Sequence, residues 1–145
     1  MDIKYYDVQK VETIKQMLEM AVEQAGDKIA FKYKAGKDKV VDVTYKEFQE
    51  DTFELGTALN SINMADKHIA VIGDNCYKYV TVYLTVLKSK GVFVPIDKEL
   101  PVYDIINVLN DSDSEVLFYA KKYEIYSDVF RKVDLEKGVC YNNAC

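Results

Sequence analysis

The chain has 145 residues, of which 49% are hydrophobic and 30% charged, a composition typical of one globular domain and not of a disordered segment. The net charge is −5 and Arg131 is the only arginine, which argues against nucleic-acid binding. No apolar run approaches the ~20 residues that span a bilayer, and the first twenty residues lack the pattern of a secretory signal. We therefore expect a cytoplasmic protein without a transmembrane segment.

The residues that most often bind metals or act as nucleophiles are few. The three cysteines are Cys76, Cys140 and Cys145, and the only histidine is His68. Their spacing fits no metal site, so reduced, structural or incidental thiols are the favoured interpretation. Because His68 opens an apolar run, we expect a packed or capped imidazole there and neither a Ser–His nor a Cys–His relay.

The first elements are a helix and a hairpin. Thr13 begins a helical pattern that Gly26 ends, and Thr13 with Gln16 fits a capping box. Residues 29–43 read as a hairpin around the turn-rich stretch AGKDK. In its first strand, alternation places Ile29, Phe31 and Tyr33 on the buried face.

The stretch VTYKEF predicts a second helix start. Thr44 and Glu47 occupy the N-cap and N3 positions of a capping box, and Val43 and Phe48 those of a hydrophobic staple. We expect the helix to run to about residue 63. Its apolar face would comprise Phe48, Leu55, Leu59 and Ile62.

From His68 onward, strands and helices alternate, which predicts an α/β fold with a parallel βαβαβ unit over about 68–119. The strands are predicted at 68–72, 92–96 and 116–120. The first crossover helix would extend from an Asn75 cap to residue 90, with Gly91 as its left-handed end; the second would have Pro101 at its first position, and a last helix would cover 121–132. Pro95 cannot donate a ladder hydrogen bond, so its strand should lie at an edge or end there, with Asp97 starting the next turn.

The helix predicted over 76–90 is apolar around most of its circumference. The outer side of this helix should therefore need a cover, and substitutions at Val82 and Val86 would disturb that cover if those side chains face outward. That cover would be the remainder of a longer enzyme or a second copy of the chain, most simply in a homodimer.

The chain offers no convincing catalytic, cofactor-binding or metal-binding residue. Its glycines lie at 26, 36, 56, 73, 91 and 138, no two closer than ten residues, whereas phosphate loops cluster them. Asp74 and Asp97 follow strands where open α/β sheets bind ligands. Turn and cap roles explain both aspartates without any ligand, so this is the favoured interpretation, with a ligand site as the alternative.

Two stretches together resemble motifs of the adenylate-forming (AMP-binding) superfamily. VTYKEF resembles its first core motif, and LKSKGVFVPID its second, with departures at Lys90, Val92 and Phe93. The intervening HIAVIGDNCYKYVTVYLTVLK and the later VLNDSDSEVLFYAKKY match the family's element order, so about residues 11–130 fit. The ending PIDKELP looks most like bacterial long-chain acyl-CoA synthetases, and the last residues, LEKGVCYNNAC, do not match.

This resemblance implies that residues 1–145 are one domain, the N-terminal structural part of an acyl-CoA synthetase. Full-length members use Mg·ATP to convert a carboxylic acid to an acyl-adenylate and transfer the acyl group to coenzyme A. Their phosphate loop and C-terminal domain lie downstream, so we expect this chain alone to be inactive and to hold none of the cofactors ATP, Mg and coenzyme A. The alternative is a free-standing α/β module that binds a partner or small ligand without catalysis.

Overall fold

The computed structural model describes residues 9–36, 38–126 and 137–141. These ranges contain four α-helices: α1 (Ile14–Ala25), α2 (Tyr45–Ser61), α3 (Tyr77–Leu87) and α4 (Val102–Asp111). Six strands are β1 (Ile29–Lys34), β2 (Val40–Thr44), β3 (His68–Ile72), β4 (Val92–Ile96), β5 (Val116–Ala120) and β6 (Lys137–Tyr141). A 3₁₀ helix covers Lys121–Tyr126. No helix in these ranges is long and apolar enough to cross a membrane.

The parallel βαβαβ unit is confirmed and gains a strand. The sheet has the order β4-β3-β5-β6 and all of its pairs are parallel. Strand β6 lies in the C-terminal part of the chain to which the sequence assigned no structure. The central strand β3 is covered on both faces, and its residues Ile69 to Ile72 are fully buried.

Each face of the sheet has its own hydrophobic core. On one face, Ile69, Val71 and Phe118 pack with Val82 and Val86 of α3. On the other, a cluster joins the sheet to Ile105 and Leu109 of α4. The parallel unit is thus a three-layer α/β structure.

Among the described strands, β4 lies at one edge of the sheet, as Pro95 predicts. The backbone nitrogen of the proline points away from the neighbouring strand β3. The Val92 amide donates to the Lys67 carbonyl at 3.1 Å, so Val92, Val94 and Ile96 bond toward β3. The alternate positions, Phe93 and Pro95, point their backbone groups outward. Pro95 removes a donor from this exposed edge, which hinders pairing with another chain.

Helix α3 starts and ends differently from the prediction. Its N-cap is Cys76, without a side-chain hydrogen bond, so the Asn75 cap is wrong. The helix ends at Leu87, and Gly91 does not adopt a left-handed conformation. Packing explains the glycine instead, because a Cβ at position 91 would lie 3.0 Å from the Lys67 carbonyl oxygen and 3.1 Å from that of Ala65.

The outer side of α3 is covered by the chain itself, so the expectation of a bare face is wrong. Val82 and Val86 are buried against the sheet and do not face outward. Val80 and Leu84 pack on a third cluster built from Leu18 of α1, Val43 of β2 and Phe48 of α2. The argument for a homodimer through α3 therefore loses its basis.

The capping box of α2 is confirmed in both directions. The Glu47 amide donates to Thr44 Oγ1 at 3.2 Å, and the Thr44 amide donates to Glu47 Oε2 at 2.7 Å. The staple residues Val43 and Phe48 are both buried. Ile62, placed on the buried face by its spacing, lies beyond the helix end and is 41% exposed.

Helix α1 has only half of the predicted box. Thr13 accepts from the Gln16 amide at 3.1 Å, but the Gln16 side chain accepts from the amide of Glu12, not of Thr13. The hairpin is confirmed, with an irregularity between Ile29 and Phe31 that leaves Ile29 half exposed and not buried.

Two later boundaries also shift. Pro101 is the N-cap of α4 and not its first helical residue. Residues 121–126 form a 3₁₀ helix, and the rest of the helix predicted to 132 lies outside the described residues.

Candidate functional site

Three charged side chains meet at the carboxyl edge of the parallel sheet. Asp74 follows β3, Lys98 lies in the turn after β4, and Lys122 is the second residue after β5. Because the three strands are parallel, their ends bring these residues to one edge of the sheet. Open α/β sheets bind ligands at this edge, and order β4-β3-β5 places the topological switch point beside β3.

Asp74 holds both lysines. Its Oδ1 accepts from Lys98 Nζ at 2.6 Å, and its Oδ2 pairs with Lys122 Nζ. The Lys122 ammonium also lies 5.0 Å from the centre of the Tyr123 ring. We call Asp74, Lys98 and Lys122 the edge cluster.

Hydrogen bonds keep all three groups of the edge cluster charged near neutral pH. Those from Lys122 and then Lys98 hold the pKa of Asp74 below its usual value. The bond to Asp74 raises the pKa of each lysine. None of the three is poised to exchange a proton near neutrality, so the cluster fits electrostatic binding of an anion and not acid–base catalysis.

Asp97 belongs to the turn and not to the edge cluster. Its Oδ1 accepts from the Glu99 amide at 2.9 Å, and its carbonyl accepts from the Leu100 amide at 3.3 Å. This is the Asx-type turn expected of an aspartate after a strand. The two interpretations of the aspartates thus separate: Asp97 shapes the backbone, and Asp74 meets charged partners.

A depression of about 420 Å³ adjoins the edge cluster between the ends of β3 and β4. Its walls include Gly73, Asn75, Tyr79, Pro95 and Lys98. Burial, followed by the charge of Tyr83, raises the pKa of Tyr79, so this phenol stays protonated and can donate a hydrogen bond. A small polar or anionic group is the chemistry that these walls suit.

The remaining sequence candidates lie elsewhere. His68 is at the opposite end of β3, where its Nδ1 is 2.7 Å from the Ser112 carbonyl oxygen, which confirms a hydrogen-bonded imidazole. Cys76 is a free, half-buried thiol. The side chains of Cys140 and Cys145 lie outside what the structure describes. Among the described residues, no three His, Cys, Asp or Glu side chains are placed to hold a metal ion.

Sequence reasoning missed Lys98 and Lys122. The signal was present, because each lysine lies within two residues of a predicted strand end. Searching all strand ends for charges, and not only for acids, would have placed both lysines beside Asp74.

Comparison with known proteins identifies the family of the chain. The sequence model of the family described as AMP-binding enzyme matches residues 18–141. The chain belongs to this family. The predicted superfamily is thereby confirmed, together with the assignment of the fold to its N-terminal subdomain.

Individual relatives share from 16% to 31% sequence identity with the chain. A mycosubtilin synthase subunit from Bacillus subtilis is 31% identical over 109 residues, which are 74% of this chain and 4% of that protein. The A-PCP didomain of carboxylic acid reductase from Segniliparus rugosus, solved in complex with AMP, superposes with a TM-score of 0.80 at 16% identity. A fatty acyl CoA synthetase of Mycobacterium tuberculosis superposes with a TM-score of 0.76 at 18% identity.

The chain spans only a small part of these proteins. It is similar to 21% of the reductase didomain and 26% of the fatty acyl CoA synthetase, while 92% and 89% of its own length are covered. The two structural likenesses show the shared fold. Activity, substrates and partners of a longer protein are matters for proposal.

Proposed function

We propose that this chain is the N-terminal structural part of an ATP-dependent acyl-CoA synthetase. The longer enzyme would join a fatty acid to coenzyme A through an acyl-adenylate. The observation that carries this proposal is the family match over 18–141. The choice of an acyl-CoA synthetase within this family rests on the resemblance of the stretch PIDKELP. The turn at Asp97 in this stretch places Lys98 in the edge cluster.

We propose further that the 145 residues are inactive by themselves. No two glycines lie closer than ten residues to each other, so no phosphate loop of the usual kind can form. The lysines of the edge cluster are already paired with Asp74. ATP, Mg and coenzyme A would therefore bind only with the remainder of a longer enzyme, which is the partner we propose, in the cytoplasm.

A second candidate is the adenylation domain of a peptide synthetase. It is favoured by the 31% identity to the mycosubtilin synthase polypeptide. Both candidates would form an acyl-adenylate. They differ in the thiol that accepts the acyl group, because a synthetase uses coenzyme A and a peptide synthetase uses a carrier-protein thiol.

The test has two arms. In the first, the 145-residue chain is assayed for acid-dependent exchange of pyrophosphate into ATP and for a shift in Tm with Mg·ATP. We expect neither, because a ligand stabilises a native state only if it binds it. A saturable ATP-dependent rise in Tm, or measurable exchange, would contradict the proposed inactivity.

In the second arm, the longer protein is assayed with fatty acids and amino acids. It comprises residues 1–145 and whatever the same reading frame encodes after codon 145. Fatty-acid-dependent exchange with acyl transfer to free coenzyme A would support the synthetase. Amino-acid-dependent exchange without transfer to coenzyme A would favour the peptide synthetase. A neighbouring frame with no phosphate loop would favour the free-standing module.

A further inference from the structure

A second surface depression lies at the opposite end of α3 from the edge cluster. It has a volume of about 580 Å³ and forms where α2 meets the end of α3. Its lining includes Phe53, Gly56 and Thr57 of α2 and Thr85, Lys88 and Lys90 of the α3 region. We call it the Lys88 groove. Its volume is within the range of small-molecule sites.

The ammonium of Lys88 is held in place but lacks a counter-ion. Its Nζ donates to Thr52 Oγ1 at 2.7 Å, and Thr52, which is fully buried, donates in turn to the Gln49 carbonyl at 2.8 Å. Within the described ranges, no carboxylate lies within ion-pair distance of Lys88; Glu19, whose charge acts on it, pairs with Lys15 at 3.9 Å. Two of its three N–H donors are therefore available to an anion.

Desolvation makes this ammonium receptive to an anion. Lys88 is half-buried, and burial, followed by the charge of Lys15, lowers its pKa. A partly desolvated cation gains more from an opposite charge than a fully hydrated one does. An incoming carboxylate would supply the missing counter-charge.

The Lys88 groove also has an apolar side, formed by Phe53, and open space at its base above Gly56. Phe53 is 69% exposed, a large fraction for an aromatic side chain in the middle of a helix. Gly56 lies in the same helix, where glycine is unfavourable. A Cβ there would meet only Thr85 Cγ2, at an ordinary 3.6 Å, so packing does not require the glycine. The missing side chain leaves room beside the Phe53 ring.

Charge selects the side from which an anion would approach. A depression of about 680 Å³ on the α1 side of Phe53 also reaches Lys88, but three acids, Glu19, Glu50 and Glu54, line it against one further lysine, Lys15. On the side of the Lys88 groove, one acid, Asp66, is balanced by Lys90. An anion therefore reaches Lys88 with less repulsion through the Lys88 groove.

We propose that the Lys88 groove binds a small organic acid. The carboxylate would accept hydrogen bonds from Lys88 Nζ, and the apolar body would lie against the Phe53 ring and over Gly56. This site is distinct from the edge cluster, because α3 begins at the carboxyl edge of the sheet and Lys88 follows its last residue. Binding would require neither ATP nor coenzyme A.

The proposal is tested by titrating the ¹⁵N-labelled 145-residue chain with 3-phenylpropionate and following its amide resonances. We expect saturable shifts confined to residues 52–57 and 85–90, with a Kd on the order of millimolar, as suits a small ligand. The neutral analogue 3-phenylpropanamide should bind at least about tenfold more weakly because it cannot form the charged hydrogen bond. Equal affinity for the amide, shifts elsewhere, or no saturation at tens of millimolar would overturn the proposal.

Two variants and a control distinguish a loss of binding from a loss of folding. Lys88→Met keeps an unbranched stem but removes the charge, and should weaken binding at least about tenfold. Gly56→Ala fills the open space at the base while favouring the helix, so it should lose affinity without losing stability. Lys46→Met, on an exposed lysine of α2 outside the groove, is the control and should bind as the wild type does. Unchanged affinity in both groove variants would overturn the proposal.

Discussion

The phenol of Tyr77 donates a hydrogen bond to the carboxylate of Asp51 at 2.5 Å, joining the start of α3 to the middle of α2. The same ring stacks on Tyr33 of the hairpin, with centroids 5.3 Å apart. It also meets Phe31 and Phe48. Tyr77 thus connects the hairpin and α2 to the parallel unit.

Removing this hydroxyl should weaken the fold in a pH-dependent way. Tyr77→Phe keeps the ring and should cost about 1.5–3 kcal/mol at pH 7, because it deletes one hydrogen bond to a carboxylate. Burial, followed by the bond to Asp51, raises the pKa of Tyr77 in the folded state. A raised pKa gives stability that is present below the unfolded value of about 10 and is lost as pH rises through the folded value.

Urea unfolding from pH 7 to 11 checks this prediction. The other tyrosines contribute to both proteins, so the difference between wild type and Tyr77→Phe isolates Tyr77. The difference should shrink above pH 10. A constant difference across the range would mean that the Tyr77 hydroxyl is not the coupled group.

The two N-terminal caps should differ in strength. Thr44→Ala removes a reciprocal capping box and should cost about 1 kcal/mol. Thr13→Ala removes one side-chain contact and leaves the bond from the Glu12 amide to Gln16 in place, so it should cost less. Chemical denaturation of both variants measures the two losses. An equal or larger loss for Thr13→Ala would refute the ranking.

Two glycine-to-alanine changes should have opposite signs. Gly56→Ala should stabilise the chain by about 0.5–1 kcal/mol, because the added Cβ meets an ordinary contact and alanine favours the helix. Gly91→Ala should destabilise it by more than about 1 kcal/mol, because the Cβ would press on two backbone carbonyl oxygens. Thermal unfolding of the pair gives both signs. A neutral Gly91→Ala would show that the close approach relaxes without cost.

Replacing Pro95 should promote association of the chain through the exposed edge of β4. Pro95→Val restores an outward N–H on the exposed strand β4 and adds a β-branched residue. We expect concentration-dependent association in light scattering, where the wild type shows less. Pro101→Ala is the control, since it removes the other proline at the N-cap of α4, away from the edge. Equal association of both variants would point to destabilisation and not to edge pairing.

The ion pairs of the edge cluster should lower the pKa of Asp74. The pKa of Asp74 is lowered chiefly by its hydrogen bond to Lys122, so its contribution to stability is present above the unfolded value and is lost as pH falls through the folded value. Side-chain carboxyl NMR should show Asp74 titrating below the usual aspartate value of about 3.9. Lys98→Met with Lys122→Met should return it toward that value. An unchanged titration in the double variant would exclude the ion pairs as its cause.

Local signals in the sequence were read correctly where one helical turn or one strand decides the structure. The Thr44–Glu47 box, strand 92–96 and the edge position of Pro95 all follow from residues that are close in sequence. The errors arose where distant parts of the chain decide. Periodicity cannot tell which side of the apolar helix α3 meets the sheet, and the structure shows that the side carrying Val82 and Val86 does.

The same limit applies to the candidate site. Asp74 was identified as a possible ligand-edge residue, but its partners lie 24 and 48 positions further along the chain. Only the parallel register brings them together. Glycine commonly ends helices, which is why the sequence predicts a helix end at Gly91. In the structure, a glycine is needed there because the backbone carbonyl oxygens of Ala65 and Lys67 lie too close for a Cβ.

The contact of Gly91 with the segment before β3 determines where added sequence would be accepted. The Val92 amide bonds the Lys67 carbonyl, and Gly91 lies against the same group, so the length of 88–91 sets the alignment of β4 on β3. Lengthening that connection by one residue would shift alternate side chains of β4 to the wrong face. At the hairpin turn, a Cβ on Gly36 would meet nothing within 4 Å, and the only constraint is its φ of +87°, which favours keeping the glycine itself. An epitope tag or fluorophore-labelling loop therefore belongs beside Gly36, with the glycine kept.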